Sequence, residues 1–437
     1  MKISLMGLAG MKIRAGDGLQ ELGYPEMLST PVFYLAQPGD QIRLIDLQYK
    51  FNVATYTPKI EDRWIYTYDY APEESWTVYR QDLNGDTYRQ DHYTFSGCVY
   101  FRICLRKMDG TEFEGREDID HILSFEREKP YLYEMKAWLK NEIERVSKCI
   151  MDIQEKGELS FVLLTDTHYT VNGTWDDTSA SIQGLHRELG FDGIIHLGDF
   201  TDGMTTREVS RHYVEQVFND LRKCEIPVWA ALGNHDTNYF KNNPEPFSLK
   251  EQCELYLGRD EPRYTIDFES QRLRFIFLDS FDPNESLRYG YNTACIQWLS
   301  EQLKNTPDDW RVIVFSHVAP VRRLQYWATE IRGEEELMAV LHDHSAKIMA
   351  FINGHNHADL IDNTEGVPIL SILNSKCEAF TEYKSEGFIT PNRKIGDTSQ
   401  EAFDIMLVNT DKRQIRFVRF GAGKDKIVTH GRAEWLI

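Results

Sequence analysis

The sequence predicts a layered α/β domain preceded by an all-β region. A chain of 437 residues is longer than one ordinary hydrophobic core supports, so two domains are expected. Up to about residue 130, short alternating or apolar runs are separated by turn clusters such as QPGD and LNGD. From Glu158 onward, apolar runs suited to strands alternate with amphipathic runs suited to helices, which is typical of α/β folds.

The boundaries follow from these changes of pattern. Residues 1–130 are expected to form a sandwich-like β-domain. Residues 131–157 carry apolar side chains at helical spacing up to Gly157, which predicts one linking helix. Residues 158–437 then form the C-terminal domain, with helices predicted near 178–189, 205–223, 292–304 and 334–343.

Three further segments predict antiparallel strands, and one predicts a loop. RYTIDFES, AFDIMLVNT and QIRFVRFG alternate in polarity, as strands of antiparallel sheets do. The stretch of residues 376–401 is irregular and is a candidate loop over a site.

Composition argues against a nucleic-acid or membrane partner. The formal net charge is −20, whereas nucleic-acid binding draws most of its affinity from cations placed against phosphates. No stretch reaches the roughly 18–20 unbroken apolar residues that a membrane-spanning helix needs. The N-terminus makes a poor signal peptide, and seven scattered cysteines without a CxxC pair do not suggest a disulfide framework. We expect a cytoplasmic protein, with a removed leader as the alternative, and the oligomeric state stays open.

Five predicted strands are followed at once by polar side chains that suit a metal ion. Ligands of layered α/β folds sit outside the carboxyl ends of strands, so these side chains are expected to converge. Imidazole and carboxylate with one amide oxygen, and no thiolate, suit a borderline divalent metal. The segments are LLTDTHY (Asp166, His168), IIHLGDFTDG (Asp199, Asp202), AALGNHD (Asn234, His235, Asp236), VIVFSHV (His317) and AFINGHNHAD (His355, His357).

The combination of these segments carries the prediction. A single His or Asp after a strand is more often a capped turn than a ligand, and GD and GN are good turn dipeptides for backbone reasons. Five of the thirteen histidines, however, stand at the ends of apolar strands beside carboxylates in one domain. This arrangement favours a metal site over a set of unrelated turns.

The ordered motifs D-x-H, G-D-x-x-D, G-N-H-D, an isolated S-H and G-H-x-H resemble the calcineurin-like metallophosphoesterase superfamily over about residues 158–425. The resemblance implies a two-sheet β-sandwich flanked by helices, a four-layer core, holding two divalent transition-metal ions (Mn, Fe, Zn or Co). It implies that one ion is held by Asp166, His168 and His357, that Asp199 bridges both, and that Asn234, His317 and His355 hold the second.

Three further residues receive catalytic roles from the same resemblance. His235 would lie beside the ions without ligating them, and Asp236 would orient its ring. Asp202 would bond a ligand histidine and fix its tautomer. For Asp202 and Asp236, carboxylates that only stabilise turns are an equal alternative.

Two differences from the motifs of known subgroups of this superfamily narrow the class of reaction that we expect. The segments GDFTDG and GNHD lack the phosphate-binding Arg that serine/threonine protein phosphatases carry. Asp202 stands at the position where purple acid phosphatases have a Tyr ligand. The expected function is hydrolysis of a phosphomonoester or phosphodiester in a small phosphorylated substrate, similar to bacterial phosphodiesterases. Candidate substrate-selecting residues are Tyr169, Asn172, Trp175, Asn238, Tyr239, Phe240, Arg207, Arg322 and Arg323, with packing and surface roles as the alternative.

A competing hypothesis assigns the main function to the N-terminal region. Its aromatics suggest a glycan- or surface-binding module, with the phosphoesterase domain secondary or idle; they are Trp64, Tyr66, Tyr68, Trp76 and Tyr79. The alternative is that these rings form a core or contact surface, as aromatics commonly do.

Overall fold

The computed structural model describes the chain except residues 1, 4, 14–19, 31–33, 60–66, 73–78, 82–86, 90, 98, 128–132, 170–173, 204–206, 240–244, 329, 378–386 and 437. The chain divides into two compact units. The first comprises Met1–Lys59 and Tyr66–Glu134, and the second comprises Met135–Ile437 together with Ile60–Ile65.

The first unit is built from strands. They are β1 (Lys2–Ile3), β2 (Met6–Ala9), β3 (Met11–Ile13), β4 (Gln20–Leu22), β5 (Met27–Ser29), β6 (Tyr34–Ala36), β7 (Gln41–Leu44), β8 (Tyr49–Lys59), β9 (Thr67–Pro72), β10 (Tyr79–Gln81), β11 (Thr87–Arg89), β12 (His92–Thr94), β13 (Val99–Lys107), β14 (Arg116–Asp118) and β15 (Leu123–Glu126). The strand-rich N-terminal region predicted from the turn clusters is therefore confirmed.

Two larger sheets of this unit share one core. One has the order β1-β15-β7-β12, and the other has the order β14-β2-β5-β13-β8-β9 with β6 also paired to β13. Ile42 and Phe125 of the first sheet and Val53 and Phe101 of the second belong to the same buried cluster. The rings of Phe101 and Phe125 lie 4.9 Å apart. The aromatic content of this region thus supplies a core.

The second unit contains all six α-helices of the described chain. They are α1 (Ala137–Ile153), α2 (Trp175–Leu189), α3 (Arg207–Arg222), α4 (Leu249–Gln252), α5 (Thr293–Asn305) and α6 (Glu334–Asp343). Its strands are β16 (Leu159–Leu164), β17 (Gly193–His196), β18 (Val228–Ala230), β19 (Tyr264–Phe268), β20 (Leu273–Phe277), β21 (Arg311–Ser316), β22 (Ile348–Asn353), β23 (Leu360–Asp362), β24 (Ile369–Ser371), β25 (Ala402–Asn409), β26 (Gln414–Gly421), β27 (Lys426–Thr429) and β28 (Arg432–Trp435).

These strands form two sheets with orders β18-β17-β16-β25-β26-β27-β28 and β19-β20-β21-β22-β24-β23. Strands β16, β17 and β18 run parallel, as do β20, β21, β22 and β24. The three segments predicted as antiparallel strands are β19, β25 and β26, and each pairs antiparallel with a neighbour. Those predictions are confirmed.

The two sheets pack face to face with helices on both outer faces. In β16, Phe161 and Leu163 point into a core shared with Phe275 and Phe315 of the other sheet. The alternate residue Val162 packs in a cluster with helices α1, α2 and α3. Helices α5 and α6 cover the outer face of the second sheet. The predicted four-layer sandwich flanked by helices is therefore confirmed. Successive side chains of a strand point to opposite faces of the sheet, which explains why Phe161 and Leu163 pack in one core and Val162 in the other.

Helix α1 belongs to the packing of the second unit. Its buried side chains Leu139, Ile143, Val146 and Ile150 repeat every three or four residues, so they form one apolar stripe. The stripe joins the same cluster as α2 and α3, and Gln154 ends the helix in an extended conformation.

A buried network of four charges ties the first sheet to the loop after β22. Nζ of Lys426 lies 2.9 Å from Asp359 and 3.0 Å from Asp404. The guanidinium of Arg419 lies 2.7 Å from Asp359 and 2.9 Å from Asp404. All four residues are at most 1% exposed, so each charge depends on its partners for stabilisation.

A second buried carboxyl, Glu401, makes stability depend on pH. Burial raises its pKa to about 7, although hydrogen bonds from Thr178 (2.6 Å) and Gln400 (2.8 Å) oppose this shift. The unfolded chain loses this proton near pH 4.5. Between about pH 4.5 and 7 the folded form therefore binds more protons than the unfolded form, so the free energy of unfolding falls as the pH rises. Above about pH 7 the buried charge of Glu401 lowers the free energy of unfolding by its full amount, at most about 3 kcal/mol.

We expect Glu401→Gln to stabilise the protein at pH 8 and to have little effect at pH 4.5. The amide removes the buried charge, and the Thr178 hydroxyl can turn to the carbonyl of Thr174, which lies 3.2 Å away. Urea unfolding at both pH values measures this difference. The exposed Glu434→Gln serves as the matched control, and an equal change at both pH values would contradict the explanation.

Candidate metal centre

The proposed ligands all leave the carboxyl ends of parallel strands. Asp166 and His168 follow β16, Asp199 follows β17, Asn234 follows β18, His317 follows β21, and His355 and His357 follow β22. Every one of these residues is at most 7% exposed. The two sheets therefore deliver seven polar side chains into one buried place.

Backbone strain is concentrated at the same positions. Ten non-glycine residues of the described chain have positive φ, and five of them are proposed ligands: Asp166 (50°), His168 (42°), Asp199 (57°), His355 (67°) and His357 (50°). A left-handed conformation costs an ordinary residue about 1–2 kcal/mol. Such strain persists where the surrounding fold enforces it, and it clusters at functional sites.

The glycines of the motifs allow the turns to approach one another. A Cβ at Gly233 would lie 2.2 Å from Oδ1 of Asp199, and one at Gly354 would lie 2.0 Å from Oγ1 of Thr165. Neither position has room for a side chain. The G-N-H-D and G-H-x-H motifs therefore need glycine because the ligand turns are in contact.

One cluster of donor atoms is formed by Asp166, His168 and His357. Nε2 of His168 lies 3.1 Å from Nε2 of His357, and Oδ1 of Asp166 lies 3.3 Å from His357 and 3.8 Å from His168. Two atoms that bind one ion at about 2.1 Å lie about 3.0–3.4 Å apart at tetrahedral to right angles. The observed separations are close to this range.

A second cluster is formed by Asp199, Asn234, His317 and His355. Nε2 of His317 lies 3.1 Å from Oδ1 of Asn234, 3.2 Å from Nδ1 of His355 and 3.2 Å from Oδ2 of Asp199. Nδ1 of His317 lies 2.7 Å from the carbonyl of Leu197, so in the neutral ring Nδ1 carries the proton and Nε2 has the lone pair. This atom can therefore bind a cation.

Asp199 lies between the two clusters. Its Oδ2 lies 3.2 Å from Nε2 of His317 and 3.7 Å from Nε2 of His168. Its Oδ1 accepts a hydrogen bond from the backbone N–H of His235 at 2.8 Å. The carboxylate thus has one oxygen held by the backbone and the other facing both sets of histidines.

These donors fit metal ions. Oδ1 of Asp166 is fully buried and has no hydrogen-bond donor among the described residues, a costly state for a carboxylate oxygen. Two pairs of imidazole nitrogens lie 3.1 and 3.2 Å apart, and a pair of lone pairs at this distance needs a proton or a cation between them. Imidazole and carboxylate are the donors that divalent transition metals prefer.

Without ions, two of the proposed ligand histidines, His168 and His317, hold protons. Burial lowers the pKa of His168, but Asp166, Asp202 and Asp199 reverse the effect and raise it to about 10. The pKa of His317 is lowered by burial and raised by Asp199, with a result of about 9. Metal ligands bind in their deprotonated form, so metal binding here is expected to release protons.

Asp202 contacts His168, one of the proposed ligand histidines. Its Oδ1 lies 3.1 Å from Nδ1 of His168, which leaves Nε2 of that ring to face Asp166 and His357. Carboxylates in this position orient metal-bound imidazoles in many proteins.

The contacts of Asp236 favour the alternative role, a carboxylate that stabilises turns. Its carboxylate accepts hydrogen bonds from the backbone N–H groups of Gly233 (2.8 Å), Asp199 (3.0 Å) and Phe200 (2.9 Å), so it joins two ligand turns. The ring of His235 is instead oriented by the carbonyl of Asp202, 2.6 Å from its Nδ1. Burial and the charge of Asp199 raise the pKa of Asp236 to about 7. Its contacts are those of a turn-stabilising carboxylate.

Lys376, which is not among the residues predicted from the motifs, lies beside the site and is 1% exposed. Its Nζ lies 3.5 Å from Oδ1 of Asp202, and its backbone N–H donates to the carbonyl of Asp166 at 3.3 Å. The buried Arg393 donates to the carbonyls of Asn374 (2.8 Å) and Lys376 (2.6 Å), which holds this turn. The sequence pattern that could have indicated Lys376 is the polar segment Asn-Ser-Lys, which follows soon after the apolar strand β24.

Most candidate substrate-selecting residues have structural partners. Trp175 is buried and donates to Asp220 at 2.9 Å, and Tyr169 packs on Trp175 and Tyr213. The side chain of Asn238 bonds Ser210 and Glu245.

The three arginines also lie at the surface or in ion pairs. Arg207 pairs with Glu251, Arg323 lies 2.7 Å from Asp362 and 2.5 Å from Glu365, and Arg322 is exposed. Tyr239 packs against Phe281 at 5.3 Å. Asn172 and Phe240 lie outside the described residues.

The aromatics behind the glycan hypothesis are not placed by the structure. Trp64, Tyr66 and Trp76 lie outside the described residues, and the side chains of Tyr68 and Tyr79, in β9 and β10, are also outside the described part. No helix in the described part of the chain has the length and apolarity to cross a bilayer.

Residues 159–359 match the family model described as calcineurin-like phosphoesterase. A search of curated proteins finds no match. This match covers all seven proposed ligands, from Asp166 to His357. Members of this family hydrolyse phosphoesters with divalent metal ions.

The solved structures that match this chain include two phosphatases and a putative 5'-nucleotidase. A dimetal phosphatase from Danio rerio is 17% identical, with 62% of this chain and 99% of that chain covered and a TM-score of 0.48. A purple acid phosphatase from yellow lupin (Lupinus luteus) is 11% identical, with coverages of 94% and 81% and a TM-score of 0.45. A putative 5'-nucleotidase from Staphylococcus aureus is 13% identical, with coverages of 62% and 54% and a TM-score of 0.37.

Proposed function

We propose that the second unit hydrolyses a phosphomonoester or phosphodiester bond of a small substrate, using two divalent metal ions. The position of Asp199 carries this proposal, because its Oδ2 faces His317 at 3.2 Å and His168 at 3.7 Å. A carboxylate oxygen between two sets of histidines suits a bridge between two cations. When bound, such a pair of ions lowers the pKa of a shared water and polarises phosphoryl oxygens.

The remaining residues divide between the two sides of Asp199. Asp166, His168 and His357 would hold one ion, and Asn234, His317 and His355 would hold the other. The amide of Asn234 is a neutral ligand, which limits the negative charge facing an anionic substrate. The buried cation of Lys376, 3.5 Å from Asp202, offsets a further carboxylate. Both features favour phosphate binding.

His235 is the proposed acid. The carbonyl of Asp202 accepts its Nδ1 proton at 2.6 Å, so Nε2 is the nitrogen that changes its protonation. Burial lowers the pKa of this ring to about 4, so the ring is neutral near pH 7 without substrate. The negative charge of a bound phosphoester favours its protonated form. Nε2 would then donate the proton that the leaving oxygen needs.

The hydrolysis of 4-nitrophenyl phosphate and bis(4-nitrophenyl) phosphate tests the proposal. Protein loaded with Mn, Fe, Zn or Co is expected to release nitrophenolate from at least one of them, and a chelator is expected to abolish the reaction. Restoration by added metal excludes irreversible damage by the chelator. Absence of turnover with every metal and both esters, or turnover that survives chelation, would refute the proposal.

We expect His235→Ala to lower kcat by about 10²–10⁴-fold, because a positioned proton donor contributes this much. Metal content is expected to be unchanged, since His235 is not a proposed ligand. The exposed His121→Ala serves as the control for loss of an imidazole. Loss of bound metal in His235→Ala would show that this residue is a ligand instead.

A further inference from the structure

Trp327 is an unusual surface residue. Eight large apolar side chains of the described chain are exposed, and Trp327, at 38%, is the aromatic one among them. Tryptophan rings carry more apolar area than other side chains, so leaving one partly in water has a cost in free energy. Single exposed apolar residues are common on protein surfaces, so the position of this ring decides whether it has a role in binding.

The exposed ring lies at the metal centre. Its centroid is 6.1 Å from the ring of His357 at an interplanar angle of 75°. His357 faces Asp166 at 3.3 Å, within the first cluster of proposed ligands. A group bound at the ions is therefore within reach of the indole.

The same motif that supplies ligands also anchors the Trp327 segment. Asn356 lies between His355 and His357 and is fully buried. Its Nδ2 donates to the carbonyl of Leu324 at 2.8 Å, and its Oδ1 accepts from the backbone N–H of Tyr326 at 3.0 Å. The ring of Tyr326 meets Trp327 edge-on at 4.6 Å. The indole is thus held in register with the ligands before any substrate binds.

A second aromatic ring lies against the other histidine of the motif. The ring of Tyr289 lies 5.1 Å from His355, and Tyr289 packs in an apolar cluster with Val318, Ala328 and Ile331. Ala328 follows Trp327 directly. Apolar side chains therefore lie beside both histidines of the G-H-x-H motif.

We propose that Trp327 is the specificity residue of this site, and that it packs against a planar, apolar group of the phosphoester substrate. This proposal rests on the phosphoesterase function proposed above. Trp327 is 38% exposed, and covering between half and all of that area, out of about 250 Å², corresponds to about an eight- to sixtyfold gain in affinity. Aryl esters are thus favoured over esters of small polar alcohols such as glycerol.

The experiment compares phenyl phosphate with glycerol phosphate in the metal-loaded protein, for wild type, Trp327→Ala and Trp327→Phe. We expect Trp327→Ala to lower kcat/KM about eight- to sixtyfold for phenyl phosphate and less than threefold for glycerol phosphate. Trp327→Phe is expected to retain most activity, because it keeps a flat apolar ring. The exposed Leu436→Ala is the matched control. The ratio of variant to wild type removes the intrinsic difference in reactivity of the two esters.

Binding provides a readout that does not depend on turnover. Calorimetry with phenylphosphonate and methylphosphonate is expected to show a loss of affinity in Trp327→Ala for the phenyl compound alone. An equal loss for both esters or both phosphonates, or no loss, would overturn the role of Trp327. If wild type hydrolyses neither ester and the phenyl-specific loss persists, the phosphoesterase function fails while the binding role stands. If wild type also binds neither phosphonate, both proposals fail.

Discussion

Asp199→Ala is expected to lose both metal binding and turnover. The substitution removes the oxygen that faces both histidine clusters, at 3.2 and 3.7 Å. Loss of a bridging ligand removes several kcal/mol of transition-state stabilisation, which corresponds to a decrease of about 10³-fold or more in kcat/KM. Elemental analysis of the purified variant is expected to find less metal than in wild type, and circular dichroism is expected to show an intact fold.

The control is Asp411→Ala, which removes an exposed carboxylate of the same unit. It is expected to leave metal content and kcat/KM unchanged. Asp199→Asn adds a second comparison, because it keeps the shape and removes the charge. Wild-type turnover in Asp199→Ala would contradict the bridging role, and unfolding of Asp199→Ala would shift the test to the Asn variant.

Lys426→Met is expected to produce the largest loss of stability. Lys426 is fully buried between Asp359 and Asp404, and its removal leaves negative charge that Arg419 alone balances. Breaking a buried ion pair by removing one partner costs about 3–5 kcal/mol. Urea denaturation followed by fluorescence measures the change in the free energy of unfolding.

Two further variants identify the cause of that loss. Arg432→Met breaks an exposed pair with Glu434 and is expected to have little effect. The double variant Lys426→Met with Asp404→Asn is expected to recover part of the stability, because it restores the charge balance. If the single and double variants were equally destabilised, lost packing rather than unpaired charge would be the cause.

The arrangement of the proposed ligands could be predicted because it depends on local pattern. The sequence itself shows the apolar strands, their order and the polar residues that follow them. Parallel strands then bring their carboxyl ends together. The family match over residues 159–359 and the two-sheet sandwich agree with that prediction. The individual roles of the site residues stay predictions.

Other features depend on contacts between distant segments. Asp236 follows His235 directly, yet its carboxylate points to the turn after β17, and no sequence spacing shows that. Arg419 lies 60 residues from Asp359 in the chain, and their pairing needs the sheet order. Trp327 reaches His357 because Asn356 holds its segment. Side-chain direction and long-range pairing set these features, and neither has a local signature.

The most direct test of the proposed centre is a metal titration of wild type and Asp199→Ala by calorimetry, with elemental analysis of the same samples. The proposal predicts about two divalent ions per chain in wild type and weakened binding in the variant. Proton release on metal binding is also expected, because His168 and His317, with pKa values of about 10 and about 9 in the metal-free form, hold protons at neutral pH and lose them on binding metal. A wild-type protein that binds no transition metal, or a variant that binds as wild type does, would contradict it.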